Sequence, residues 1–353
     1  MANNELLNEI RAKLGDDYQE NERILKGEVE RLAKAGDIDG VNAVGQLMLD
    51  IMPEDKRNEV IRLTHIDGVR LDNLYEQVEE HLKKNEYIEA KSIAEKLYKK
   101  ITVDFAETDT VKYVSLRNPF EDNLCQLLFP TEKRLNRAPF DFCTYITTYA
   151  FILVETGSSI DALPVLEKAH QYNPVDVGPL FEMAEIFKLT KNKKRIVEIT
   201  RETLKIASSP LAIARCYANM GYILTDFRQY DEAAVFYTAS AMLAPNPAIP
   251  LEMQHLADLK GSPVNVPQRE EIEEVMKKYD MTFGADNNVI SVAAQLSVNY
   301  LTANDIPNAL MAMKMTYALT RDESIKKLIL KYEPNADMSA PAPGEVPDSA
   351  KTE

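Results

Sequence analysis

Along most of the chain, apolar residues recur at intervals of three and four, in short stretches that come in pairs separated by polar turns. The clearest pair runs from Cys216 to Pro247, CYANMGYILTDFRQYDEAAVFYTASAMLAPNP. Tyr217, Met220, Gly221 and Leu224 stand at i, i+3, i+4 and i+7 and predict one buried helix face. After the polar DFRQ, Ala233, Phe236, Tyr237 and Ser240 repeat the pattern, and Pro245 then stops the second helix because proline cannot extend the hydrogen-bond ladder. Gly221, Ala233 and Pro245 are each twelve residues apart. Small residues at facing positions let two helices approach closely, so the spacing predicts a tight helical hairpin with a hard stop.

The same landmarks recur upstream. Ala150, Ala162 and Pro174 are again twelve apart, and Ala184, Ile196 and the Ser208–Pro210 region make a degenerate copy between the two. The residues at the second landmark, Ala162, Ile196 and Ala233, lie 34 and 37 residues apart.

These residues resemble the tetratricopeptide repeat (TPR), a helix-turn-helix unit of about 34 residues. Tyr217, Met220, Gly221, Tyr230, Ala233, Tyr237 and Pro245 fall on its landmarks, with departures at Leu224 and Ser240. The likeness is strongest over 212–247, good over 143–176 and weak over 177–210. It implies an all-α fold, a right-handed superhelical solenoid of TPR-like hairpins.

Divergent hairpins are expected on both sides. Gly36 marks a turn, with Val41 and Pro53 twelve apart, and Leu74, Val78, Tyr87, Ala90 and Leu97 outline another unit. Ser297, Tyr300 and Ala309 supply one near the other end, and LEMQHLADLKG with PQREEIEEVMKKYD reads as a distorted pair. The expected organisation is divergent hairpins over 1–101, an insertion over 102–138, central repeats over 139–247, divergent repeats over 248–332 and an acidic, proline-rich, disordered tail over 333–353. The β-branched and aromatic residues of the insertion, around the turn-like NPFEDN, predict a β-hairpin or an irregular segment.

Composition limits the partners. The 353 residues carry a formal net charge of −15, which disfavours nucleic acid, and no apolar run reaches the length of a membrane span. Three separated cysteines without a CxxC pair, no N-x-S/T site and no evident leader predict a cytoplasmic protein.

Candidate chemistry is sparse. The chain has no P-loop, dinucleotide fingerprint, HExxH or GxSxG motif, and its four histidines lack ligand spacing, so neither catalysis nor a cofactor or metal is expected. The basic run KLTKNKKR, Lys188 to Arg195, reads as a solvated turn without interleaved aromatics.

Function is then expected from architecture: a scaffold or adaptor that takes a peptide or helix of a partner protein in a concave groove lined by first helices. By the TPR resemblance the lining residues are Thr144, Thr147, Phe151, Phe181, Glu185, Lys188, Arg215, Asn219, Tyr222 and Asp226. Family members that grip acidic carboxyl-terminal tails do so with a basic clamp. Here Arg215 and Asn219 fit that clamp, whereas Phe181 and Glu185 do not, which favours a more apolar peptide. The alternatives are a subunit of a homo- or hetero-oligomeric assembly and an enzyme with its site in the insertion.

Overall fold

The computed structural model describes residues 2–338. It falls into two compact units, Met1–Leu74 and Tyr75–Glu353, and is built almost entirely of helices.

In the first unit, α1 (Ala2–Arg11), α2 (Tyr18–Lys34) and α3 (Ile38–Ile51) enclose a small core of Ile10, Leu25, Leu32, Val44 and Leu47. Asp17 caps α2 by accepting from Gln19 N at 2.7 Å and Glu20 N at 3.0 Å. Helix α4 (Glu54–Thr64) buries none of its residues and leads into a two-residue antiparallel ladder, β1 (His65–Ile66) with β2 (Val69–Arg70). The turn of that ladder is Asp67-Gly68, both with positive φ, a hairpin signal passed over in the apolar pattern.

The chain then forms α5 (Leu71–Lys83) and α6 (Tyr87–Asp104), followed by β3 (Val111–Val114), α7 (Pro119–Leu128) and β4 (Arg134–Arg137). Next come α8 (Phe142–Glu155) with α9 (Ser159–Tyr172), α10 (Gly178–Leu189) with α11 (Lys193–Ile206), and α12 (Pro210–Asp226) with α13 (Tyr230–Leu243). Helices α14 (Ala248–Lys260) and α15 (Arg269–Lys278) both pack on α13, and α16 (Asn287–Thr302), α17 (Ile306–Thr320) and α18 (Glu323–Tyr332) complete the order. From α8 to α14 each helix packs on the next.

One turn geometry recurs in six hairpins. Gly36, Asn85, Gly157, Lys191, Arg228 and Asn304 all adopt left-handed backbone, with φ between 55° and 82°. In each, the turn residue's N–H bonds three residues back, and the following N–H bonds five residues back, as in Asp37 N to Leu32 O (3.0 Å), Gln229 N to Leu224 O (2.9 Å) and Asp305 N to Tyr300 O (2.8 Å). These pairs of bonds satisfy carbonyls that the first helix leaves open at its end. The first landmark stands seven residues before the turn and the second five after it, which explains the spacing of twelve. Val78, Ala150, Ala184, Gly221 and Ser297 hold the first position and Ala90, Ala162, Ile196, Ala233 and Ala309 the second, all of them buried.

Gly157 has no heavy atom within 4 Å of where a Cβ would stand, so its role is its left-handed φ of 82° alone. Gly157→Ala is therefore expected to lower stability by about 1 kcal/mol, the penalty of left-handed backbone for an L-residue, which a denaturant titration measures.

The insertion differs from expectation. Strands β3 and β4 are parallel, with Val111 opposite Arg134 and Val114 opposite Arg137, and α7 makes the crossover between them. It is neither a hairpin nor irregular: a parallel pair cannot close through a tight turn. Its helix also carries the far end of the chain, since α16 packs on α7.

At the carboxyl end, Ala336 and Met338 pack on a core of Ala309, Met313, Tyr317 and Ile329. Glu333 pairs with Lys314 at 2.7 Å. Residues 333–338 therefore belong to the folded part, and the rest of the expected disordered tail, 339–353, lies outside the described residues. No described helix is long and apolar enough to cross a membrane.

Candidate functional site

Two first helices bring seven of the ten expected residues together. On α10, Phe181, Glu185 and Lys188 share a face at i, i+4 and i+7. On α12, Arg215, Asn219, Tyr222 and Asp226 do the same at i, i+4, i+7 and i+11. Asn118, Asp141, Asn192 and Ser209 cap other helices of this unit by side-chain bonds, whereas the cap position of α10 is Val177, and Asp176 before it accepts from Gly178 N at 2.9 Å through Oδ1.

The two faces are joined by alternating rings and charges. The Arg215 guanidinium lies 4.4 Å from the Phe181 ring centre, and its Nη2 stands 3.4 Å from Glu185 Oε1. The same oxygen accepts from Lys188 Nζ at 2.9 Å, and that ammonium lies 5.5 Å from the Tyr222 ring centre. One turn further on, Asp226 Oδ2 pairs with Lys193 Nζ at 3.0 Å, and Lys193 lies 5.1 Å from the ring centre of Phe227. Arg195 sits 5.4 Å from the Phe187 ring centre. Half-exposed ion pairs add about 0–1 kcal/mol each, and exposed cation–π contacts about 0.5–1, so the strip orients its groups more than it stabilises the fold.

Two expected residues are misplaced. Phe181 is 6% exposed and belongs to the core around Tyr217 and Met220, and Asn219 is 3% exposed. They support the strip from beneath instead of lining an open groove. Helix α10 is buried on several sides, with Leu180, Met183, Ala184, Ile186 and Phe187 also covered, so its periodicity did not single out a wet face.

The three α8 residues make local contacts. Thr144 takes part in the cap, its Oγ1 donating to Asp141 Oδ2 at 2.7 Å, and Thr147 Oγ1 donates to Cys143 O at 2.8 Å. Phe151 is 39% exposed on the same helix.

Beyond the expected set, the structure adds Lys193 and Phe227. The basic run does meet aromatic rings: Tyr222 of α12 and Phe227 just after that helix, and Phe187, which directly precedes the run on α10. Tyr222 and Phe227 each stand 34 residues from the lysine they meet, so they give no local signal.

The insertion holds a second polar cluster. Asn173, fully buried between α9 and α10, donates to Glu121 Oε2 at 2.8 Å and to Ser115 O at 3.3 Å. Arg117 Nη2 pairs with Glu121 Oε1 at 2.8 Å and Asp176 Oδ2 at 3.0 Å. Burial works against the guanidinium charge of Arg117, yet the carboxylates of Asp176 and Glu121 outweigh it and raise its pKa above the usual arginine value. Burial, reinforced by Asp176, pushes the nearby Cys143 thiol well above its usual range, so it stays protonated and a poor nucleophile. The cluster ties the insertion to the hairpins. Among the described residues no group of three His, Cys, Asp or Glu is placed to hold a metal ion.

Compared with known proteins, the chain matches no family model and no curated protein.

Proposed function

We propose that the protein is a non-enzymatic scaffold or adaptor of TPR-like hairpins that binds a peptide or helical segment of a partner protein along α10 and α12. The observation that carries this reading is the strip Arg215–Glu185–Lys188–Tyr222, in which groups from two successive first helices alternate ring and charge. Tyrosine and arginine are the residue types that dominate binding energy when a partner desolvates them. Tyr222 is 38% exposed, and the Phe181 ring beneath Arg215 holds the guanidinium in place. The repeated turn geometry supports the TPR-like reading, because units of one shape stack into an extended surface.

Tyr222→Ala is expected to weaken partner capture by about 2 kcal/mol while changing stability by less than about 0.5 kcal/mol. The experiment immobilises the full chain, compares wild type with Tyr222→Ala and Arg215→Ala, and reads captured proteins by mass spectrometry alongside a thermal melt. Capture that is equal for all three proteins would remove the strip from the binding surface.

A further inference from the structure

Where the strip reaches the α10–α11 turn, the surface opens into an apolar hollow. It measures about 510 Å³ and is walled by Val197 of α11, by Met220, Ile223 and Leu224 of α12 and by Phe227 just after that helix. Gln229 and Tyr279 form its polar edge, with the Tyr279 hydroxyl donating to Gln229 Oε1 at 3.2 Å and also bonded to Glu232. Volumes of about 300–1,000 Å³ are typical of sites that enclose a ligand, and an apolar wall with few polar groups is their usual lining. Phe227 is 50% exposed here, a large ring that the fold leaves half in water.

The run beside the hollow is basic, while the rim itself also carries carboxylates, Glu232 bonded to the Tyr279 hydroxyl and Asp226 next to Phe227. Five cations stand between Lys188 and Arg195 with no carboxylate among them, in a protein of net charge −15. Glu185, Glu198 and Asp226 engage four of them, Lys188, Lys193, Lys194 and Arg195. Lys191 and Arg228 are exposed turn residues with no ion pair among the described residues. Arg228 sits in sequence between Phe227 and Gln229 of the hollow's lining, and Lys194 lies one helical turn before Val197. Lys194 keeps only a 3.7 Å contact to Glu198.

We propose that this hollow and the basic turn beside it form a recognition site for an acidic peptide segment. Large apolar side chains of the segment fill the hollow, and its carboxylates face Lys191, Lys194 and Arg228. The inference rests on the scaffold reading and specifies its partner class: the hollow supplies affinity by covering Phe227 and the partly exposed Val197, and the cations select the sign of charge. A basic or uncharged segment would gain the apolar contact but leave the cations unanswered.

The test selects a random peptide library of about 12 residues against the full chain at low salt, then measures the enriched peptides in solution. Enriched sequences are expected to carry two or more Asp or Glu around Leu, Ile, Phe or Met, and to bind more weakly as salt rises. Lys191→Glu combined with Arg228→Glu is expected to weaken them at least about tenfold, and Val197→Phe, which fills the hollow, by a similar factor. The charge variant lies on exposed turn residues and keeps the test valid if Val197→Phe disturbs folding. A basic or uncharged consensus would overturn the proposal. So would acidic peptides indifferent to both variants but lost in Tyr222→Ala, a result that would leave the scaffold reading standing. Recovery of no binding peptide would overturn both.

Discussion

Gly221→Leu is expected to destabilise the protein by about 1–3 kcal/mol or more, through overpacking between α12 and α13. A Cβ at position 221 would lie 2.7 Å from Tyr237 Cε1 and 2.8 Å from its Cδ1, well inside contact distance. The Tyr237 ring has little room to move. It is buried in the core around Tyr217 and Phe236, and its hydroxyl donates to Glu252 Oε2 at 3.2 Å. Gly221 differs here from Gly157, whose requirement is backbone conformation and not space. Because the clash involves one ring, Tyr237→Ala should partly relieve Gly221→Leu. A denaturant-unfolding cycle over the four proteins should then show a coupling of at least about 0.5 kcal/mol. Strict additivity would mean that the two helices do not meet at this pair.

Asn173→Ala is expected to cost about 1–3 kcal/mol, because it leaves the buried Ser115 carbonyl without its donor and takes one of two donors from Glu121 Oε2, which keeps Arg117 N at 2.8 Å. Glu121 Oε2 loses the amide at 2.8 Å and Ser115 O the one at 3.3 Å, while Val175 N loses its bond to Asn173 Oδ1 at 3.3 Å. The loss should be local first. The segment 111–137 is tied to the hairpins through this cluster, through Ser115 N to Tyr172 O at 2.8 Å and through Phe142 N to Ser115 Oγ at 3.0 Å. Hydrogen exchange should therefore speed up in β3, α7 and β4 before it does in α12 and α13. Uniform acceleration across the unit would show that the insertion is no separate module.

The hairpins were legible in the sequence because their signal is local. Gly221 and Ala233 declare a close approach by size, and the turn between them is fixed by the chain's own length. Even the divergent pairs around Gly36, Asn85 and Asn304 share that register. The insertion was not legible as a topology, since the partner of Val111 is Arg134 and nothing in either strand encodes a parallel pairing across α7. The binding face was legible in part. Glu185, Lys188, Arg215, Tyr222 and Asp226 could be placed by helical phase, but Phe181 and Asn219 could not, because α10 and α12 are covered on more than one side and period alone does not say which side stays wet. The basic run reads as an ordinary turn because two of the rings beside it, Tyr222 and Phe227, are supplied by residues 34 positions from the lysines they meet.

The central claim is that a partner segment lies along α10 and α12. Hydrogen–deuterium exchange of the full chain, with and without the tightest library peptide, tests it most directly. Slowed exchange is expected in Lys188–Arg195 and in Tyr222–Gln229, with the first unit unchanged. Protection confined to α8, around Thr144, Thr147 and Phe151, or to residues 1–74, would contradict it.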